Sequence, residues 1–302
     1  MYFINQIKRV VKFVLRMVKS VLRIFFKKNY SLYIIRQLVR LAKQQGKRGV
    51  FQVFVFVSLA FIRMWARSLY QKPFFLSFFK SPFLNKKKCI YTVLTGNYDD
   101  LWEPEFVTPG WDYICVTDNK ELTSPVWKFV YIEDSLGLDY IRLSRYYKCF
   151  NHLIDSDYDI SIFIDANIKV LGNLDYFLMI SFDINMDYAT LFHTFAFSVK
   201  QELDRCIAYK KDNDQVMMEQ VESYRSLGFS DTKVHINSRL IIRRCGSPSV
   251  KLMMEDWFQE IKNGSYRDQL SFNPVLDRHS EVSVSYIEFW KFLDYFERKK
   301  HK

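Results

Sequence analysis

The sequence predicts an α/β domain with an open sheet, preceded by a basic helical arm. The clearest sign of the sheet is the β-branched run Ile160–Ile164, which is typical of a buried strand and ends abruptly at Asp165 and Asn167. Further short apolar runs alternate with amphipathic segments after residue 88. Ligands of an open α/β sheet bind at the carboxyl ends of its strands, so we expect the functional site at this point.

Asp165 and Asn167 are candidate ligands of a hard cation. Their side-chain oxygens, one residue apart at a strand end, suit Mg²⁺ or Mn²⁺, which a nucleotide diphosphate also coordinates. Asp and Asn are also both common in ordinary turns, so a plain turn after the strand is the alternative.

Composition and charge divide the chain into two parts. The five cysteines include no C-x-x-C pair, which argues against a structural zinc site or a disulfide scaffold. The net charge of +11 is uneven, because all 33 acidic residues follow residue 88 while the preceding stretch is rich in Lys and Arg. This asymmetry predicts a basic arm, residues 1–88, attached to a globular domain, residues 89–302.

The arm is predicted to lie on an anionic membrane surface. Basic residues recur every three or four positions and would share one face of a helix beside an apolar face: Lys8, Lys12, Arg16, Lys19, Arg23 and Lys27. Residues 31–43 predict a second such helix. The apolar run 50–62 is shorter than the roughly 20 residues that cross a bilayer, so we expect it to insert shallowly, re-enter or pack within protein.

Three other interpretations of the arm stay open. A transit peptide is also rich in Arg and poor in acids, but this stretch is longer and richer in Lys and Phe than we expect of one. Nucleic-acid binding would not call for so many exposed Phe and Val residues, and we expect no nucleic-acid partner. A helical arm that binds a protein partner is the third. Our expectation is the cytoplasmic face of a membrane, with peripheral or shallow attachment.

Two predicted strands, residues 89–94 and 112–116, end in turns that are candidate contacts for a nucleotide. The first strand leads into Thr95, Gly96 and Tyr98, and nucleotides commonly bind at such a turn in a doubly wound sheet. The second leads to Asp118, which can hold a ribose hydroxyl or simply cap its turn.

A predicted helix over residues 142–154 places three cations just before the Asp165 strand. Arg142, Arg145 and Lys148 are spaced by three and therefore share a polar face. They can meet a diphosphate, or they can form an ordinary solvated face.

The remaining segments predict further helices and strands. We expect helices over residues 173–180, 199–210, 215–227 and 249–262, strands over 188–192 and 235–243, and one aromatic, basic helix over 286–302. The strand over 188–192 ends at His193, a minor candidate because lone histidines are more often structural.

Six motifs, taken together, resemble a glycosyltransferase-like family long described as a domain of unknown function. Its members occur in plant wall-polysaccharide proteins and bacterial surface-polysaccharide loci. The motifs are YTVLTGNYDDLWEP, YICVTDN, RLSRYYKCFNHL, ISIFIDANIKVLGNLDYF, HINSRLIIRR and YRDQLSF, in that order over residues 89–276. There is a looser similarity to the glycogenin-like, family-eight transferases, which carry a D-x-D, an NSG strand and a DQ helix start in the same order.

The resemblance implies a GT-A fold, a Rossmann-like sheet that binds a nucleotide sugar with a metal at the D-x-D. Asp165 and Asn167 match the D-x-D, Asn237 matches the asparagine of the NSG strand, and Asp268 and Gln269 match the DQ that faces sugar and acceptor. Three departures stand out. Asn replaces the second Asp of the D-x-D, and Arg239 replaces the small Gly of the NSG strand. The third metal ligand of family-eight enzymes is a histidine late in the chain. His279 is its only plausible equivalent here, and the residues around it do not match.

These observations together predict a metal-dependent glycosyltransferase. It would move a sugar from a nucleotide diphosphate sugar to a glycan or lipid-linked acceptor in surface-polysaccharide synthesis, using Mn²⁺ or Mg²⁺. The alternative is a non-catalytic, transferase-like protein at the membrane that binds glycan or a partner.

Overall fold

A seven-stranded sheet forms the frame of the domain. The computed structural model describes residues 81–301 apart from 134–135, 151–153, 155–156, 195 and 232–233. The predicted basic stripe, the second arm helix and the apolar run 50–62 lie outside the described residues. Residues Ser81–Lys302 form one compact unit.

The order of the strands brings several polar strand ends to one edge. The sheet runs β3-β2-β1-β4-β7-β6-β8, and β7 alone is antiparallel to its neighbours. The carboxyl ends of β1, β2, β4 and β6 therefore share an edge with the amino end of β7. The strands are β1 Lys88–Leu94, β2 Trp111–Thr117, β3 Lys128–Tyr131, β4 Ile160–Ile164, β6 Tyr188–Phe192, β7 Ile236–Arg244 and β8 Val284–Ile287.

Helices cover both faces of the sheet. They are α1 Tyr140–Cys149, α2 Leu174–Ser181, α3 Val199–Ala208, α4 Asp214–Ser226, α5 Pro248–Asn263, α6 Asp268–Arg278 and α7 Phe289–Tyr295. Core residues of α2 and α7 pack on one face of the sheet, and those of α1, α5 and α6 pack on the other. Burial on both faces explains why β1 and β4 are continuous apolar runs rather than alternating ones. The predicted α/β, Rossmann-like fold class is confirmed.

The last segment differs from the single helix predicted over residues 286–302. It forms β8, the short helix α7 and a strand β9, Phe296–Arg298, which pairs with β5, Ile168–Val170. Because β8 and β9 are stabilised by distant partner strands, pairing across the chain overrides the local helical pattern. The helix predicted over residues 142–154 also ends earlier, at Cys149.

The start of the described unit is anchored to α2. Phe83 is buried and stacks on Phe182 with ring centroids 6.0 Å apart. Lys88 is the first residue of β1, and its ammonium lies 3.0 Å from Asp175. Both residues fall within the stretch that the charge pattern assigns to the arm.

Two leucines provide a matched test of this core. Leu240 on β7 is fully buried, whereas Leu252 on α5 is largely exposed. We expect Leu240→Ala to lower the free energy of unfolding by about 2–5 kcal/mol, because it leaves a cavity in a packed core. Leu252→Ala should change it by less than about 0.5 kcal/mol. Urea unfolding of both variants measures the difference, and equal losses would contradict this packing.

Candidate functional site

The turns after β1 and β2 are locked together at the functional edge. The Thr95 hydroxyl donates to the Tyr140 carbonyl at 2.8 Å, and the Gly96 N–H donates to the Asp118 carboxylate at 2.9 Å. Gly96 has a φ of +63°, and a Cβ there would lie 2.5 Å from the Tyr140 ring. Both the left-handed backbone and the close contact require glycine. The structure thus brings Thr95, Gly96 and Asp118 together.

The C-terminal tail joins this turn to the end of β4. The His301 Nδ1 lies 2.9 Å from the Asp99 carboxylate, and its Nε2 lies 3.2 Å from the Asn167 amide nitrogen. The exposed Tyr98 ring is 5.3 Å from the imidazole. An ionised carboxylate can only accept, so Nδ1 carries the proton and Nε2 presents its lone pair toward Asn167.

His301, and not His279, is the late histidine at this edge. His279 caps the far end of α6 and contacts Asp256 and Glu281 at 2.8 and 3.1 Å. Asp268 begins the same helix, so roughly 16 Å of helix separates the two ends. Local sequence around His301 gives no motif. Its position depends on the pairing of β9 with β5, and β5 is the strand that directly follows Asn167.

Three side chains at this edge are of types that bind divalent metals. Asp165 and Asn167 offer a carboxylate and an amide, and His301 offers an imidazole whose other nitrogen is held by Asp99, the usual arrangement of a metal-binding histidine. Within residues 81–301 as described, no group of three or more His, Cys, Asp or Glu side chains is arranged to hold a metal. The candidate set therefore depends on the Asn167 amide.

Asp165 and Asp268 converge on the ammonium of Lys148. Lys148 Nζ lies 2.6 Å from Asp268 and 3.9 Å from Asp165. Residues from the end of β4, the last turn of α1 and the start of α6 therefore meet at one point. The Asp165 side chain is 36% exposed, whereas Lys148 and Asp268 are almost completely buried.

Several groups hold Asp268 in its ionised form. Ser238 donates to the carboxylate at 2.9 Å, and the Arg145 guanidinium lies 3.5 Å away. Burial would raise the pKa of Asp268, but Lys148 and Arg145 outweigh it and hold the pKa well below its ordinary value. Asp268 is consequently a carboxylate throughout the physiological range.

Two aromatic rings lie beside the buried ammonium of Lys148. Lys148 Nζ is 5.0 Å from the Phe163 ring and 5.6 Å from the Trp257 ring. The Trp257 indole N–H donates to the backbone carbonyl of Asp268 at 2.9 Å. The two rings exclude water and so strengthen the attraction between Lys148 and Asp268.

The three cations of α1 do not act as one set. Arg142 donates to the carbonyls of Ile261 and Gly264 at 3.2 and 2.7 Å, and it pairs with Asp139 at 2.7 Å. Its guanidinium ties α1 to the end of α5, while Arg145 and Lys148 face Asp268.

The β6–β7 side of Asp268 holds further polar residues. Asn237 accepts from the Arg239 guanidinium at 2.8 Å. With its amide oriented to match donors with acceptors, Gln269 donates to the buried Glu202 at 3.2 Å and accepts from Ser238 N–H at 3.3 Å. Sequence patterns identify neither Glu202 nor Ser238 as site residues, because each lies inside a helix or strand far from Asp268 in the chain.

Known proteins of similar structure include glycosyltransferases. The apo structure of the WbbM bifunctional glycosyltransferase shares 11% identity at a TM-score of 0.41, covering 68% of this chain and 40% of that chain. The apo structure of mouse xyloside xylosyltransferase 1 shares 11% identity at a TM-score of 0.39, covering 66% of this chain and 84% of that chain. No curated protein matches the sequence.

The family itself is shown by a match over most of the globular domain. The TOD1/MUCI70 glycosyltransferase-like domain matches residues 114–300, a span that contains β4, Lys148, Asp165 and Asp268. The match covers more than half of the chain and confirms the resemblance seen in the motifs. This chain therefore belongs to the TOD1/MUCI70 glycosyltransferase-like domain family.

Proposed function

We propose that this chain transfers a sugar from a nucleotide diphosphate sugar to a glycan or lipid-linked acceptor in surface-polysaccharide synthesis. The observation that supports this most strongly is the meeting of Asp165 and Asp268 at Lys148, on the sheet edge beside the Thr95–Gly96 turn. Ligands of an open α/β sheet bind along this edge.

The proposed donor lies along the edge in the order of the strands. The nucleotide would occupy the turns of β1 and β2, which carry Thr95, Gly96, Tyr98 and Asp118. The diphosphate follows at the end of β4, and the sugar extends toward Asp268 and Asn237. Arg145, whose side chain is 22% exposed beside Asp268, is the α1 cation best placed to meet the departing phosphate.

Asp268 would orient the sugar and stabilise the positive charge that develops at the anomeric carbon. A carboxylate whose pKa is held low is a weak base, so we assign it no proton transfer. A fixed negative charge close to the reacting carbon instead stabilises the positive charge that develops there. Gln269, which bridges Glu202 and Ser238, would position the same sugar.

Mn²⁺ or Mg²⁺ is the proposed cofactor, held by Asp165, Asn167 and His301. When bound, the ion would neutralise the leaving diphosphate. Asp99 would keep the His301 ring in the tautomer whose Nε2 carries the lone pair.

The membrane remains part of the proposal through the arm. In the described part of the chain, no helix is both long and apolar enough to cross a bilayer. The proposed attachment uses residues 1–80, whose charge pattern suits an anionic surface on the cytoplasmic side.

The direct test is incubation of the full chain with a panel of nucleotide sugars, with and without Mn²⁺. We expect slow donor hydrolysis and nucleotide release with at least one donor, and a rise in rate with Mn²⁺. Release of no nucleotide from any donor would instead favour the non-catalytic alternative.

Asp165→Ala tests the assignment of the metal and donor site. We expect loss of hydrolysis and transfer, while the thermal midpoint stays within a few degrees because Asp165 is partly exposed and Lys148 keeps Asp268 as its partner. Asp204→Ala removes an exposed carboxylate paired with Lys200 and should leave activity unchanged. Full activity in Asp165→Ala would show that the assignment is wrong.

Asp268→Asn tests the role of the buried carboxylate. We expect turnover to fall by a factor on the order of 10² or more, with little change in nucleotide binding. Loss of the close counterion of the buried Lys148 ammonium should also cost about 3–5 kcal/mol of stability. Lys148→Met combined with Asp268→Asn should recover stability without recovering turnover. Weaker nucleotide binding with normal turnover per bound donor would place Asp268 outside the reaction centre.

The arm should confer salt-resistant membrane binding. Each basic residue near an anionic surface contributes roughly 1 kcal/mol, which salt screens, whereas inserted apolar side chains resist salt. We expect the full chain to float with anionic vesicles, to remain bound in part at about 1 M salt, and to be released by detergent. A chain lacking residues 1–80 should not float. Soluble full-length protein at low salt beside such vesicles would refute this.

A further inference from the structure

Glu202, a buried carboxylate in the first turn of α3, contacts the residues on both sides of Asp268. The Arg267 guanidinium lies 3.8 Å from Glu202, and the Gln269 amide donates to it at 3.2 Å. Asp268, which lies between these two residues in the chain, pairs with Lys148 at 2.6 Å. The residue at the N-cap position of α6 makes no side-chain hydrogen bond to the helix. Partners from other elements therefore hold the side chains at the start of α6.

A β-bulge in β7 brings one of these partners to the same place. The pairing of β6 with β7 shifts register next to Thr190, and Ser238 lies within the bulge. The Thr190 hydroxyl donates to the Leu240 carbonyl at 2.9 Å, which ties the bulge to β6. The Ser238 hydroxyl donates to Asp268 at 2.9 Å, and its N–H donates to the Gln269 amide oxygen at 3.3 Å. Bulges are frequent beside active sites, where they redirect polar groups in this way.

Glu202 and Ser238 select the same orientation of the Gln269 amide. An ionised carboxylate can only accept, so it faces the amide nitrogen, and a backbone N–H can only donate, so it faces the amide oxygen. Burial raises the pKa of Glu202, and the charge of Arg267 opposes that rise by favouring the ionised form. A primary amide has two N–H groups and two lone pairs, so each end of Gln269 keeps one position for a sugar hydroxyl.

Resting on the proposed function, we propose that Glu202 is a positioning residue of the reaction centre, which fixes the Gln269 amide in the orientation that meets the transferred sugar. The Glu202 side chain is only 5% exposed, so it acts through Gln269 rather than by contact with the substrate. A continuous path of hydrogen bonds runs from Glu202 through Gln269 and Ser238 to Asp268. In such a buried network, loss of one acceptor affects every member that depends on it.

Glu202→Gln tests this role with little change in side-chain size. The assay uses whichever donor is turned over in the nucleotide-sugar panel. We expect kcat to fall by about 10-fold or more, because small displacements of positioned groups slow the chemical step. KM should change by less than about 3-fold, because Glu202 does not touch the donor. An unchanged kcat would overturn the inference.

Glu222→Gln is the matched control. Glu222 is an exposed acid that pairs with Arg225 on α4, and its substitution should leave kcat and KM as they are.

A double-mutant cycle separates positioning from general structural support. If Glu202 acts through Gln269, then Glu202→Gln should add little to the loss of kcat that Gln269→Ala causes alone. Losses that multiply in the double variant would show two independent effects and would refute the role assigned to Glu202.

Amide hydrogen exchange keeps the inference separate from the proposed function, because it needs no donor. In the full chain with ¹⁵N-labelled serine, exchange of the Ser238 N–H reports on its hydrogen bond to Gln269, and Ser238→Ala identifies the signal. We expect Glu202→Gln to speed this exchange by about 10-fold or more, and Glu222→Gln to leave it unchanged.

The two failures give different results. Faster Ser238 exchange in Glu202→Gln, together with no turnover of any donor by the unaltered chain, would mean that the function is wrong and that Glu202 still positions Gln269. Ser238 exchange that is the same in Glu202→Gln as in the unaltered chain would overturn the inference even if donors are turned over.

Discussion

The buried ion pair between Lys148 and Asp268 is the interaction on which the arrangement of the site depends. At 2.6 Å, and with both side chains almost fully buried, it joins the last turn of α1 to the first residue of α6. Removing either partner would leave a buried charge without its close counterion, which is far more costly than the pair itself. The aromatic rings of Phe163 and Trp257 keep water away from it. The pair therefore fixes where the two helices meet at the sheet edge.

Charge is distributed along this edge according to strand order. On one side of Lys148, Asp165 and Asn167 close β4 beside His301, and the Gly96 turn follows at β1. On the other side, Arg205 and Arg267 lie 3.6 and 3.8 Å from the buried carboxylate of Glu202. The chain belongs to a glycosyltransferase-like family, although the fold alone does not define donor or acceptor.

Some features of the fold and the site could be predicted from sequence and others could not. The strand over Ile160–Ile164 and the turn after β1 were predictable, because continuous apolar runs that end in polar turns are local patterns. Asp268 was identified by a motif. Its partner Lys148 was predicted as a contact for phosphate, because spacing along a helix reports which face a residue occupies but not which distant residue meets that face. His301 was missed for a related reason, since the β5–β9 pairing that delivers it has no local signature.

The sequence by itself determined the α/β class, the position of the D-x-N strand end, the family resemblance and the contrast between a basic arm and an acidic remainder. These follow from hydrophobic period, turn chemistry and composition, which are properties of neighbouring residues. Only the tertiary structure decided that Lys148 is buried against Asp268, that Arg142 bonds to the end of α5, and that Glu202 lies within 3.8 Å of two arginines. Each of these depends on contacts between residues far apart in the chain, where burial and the surrounding charges set the partner of every ionised group.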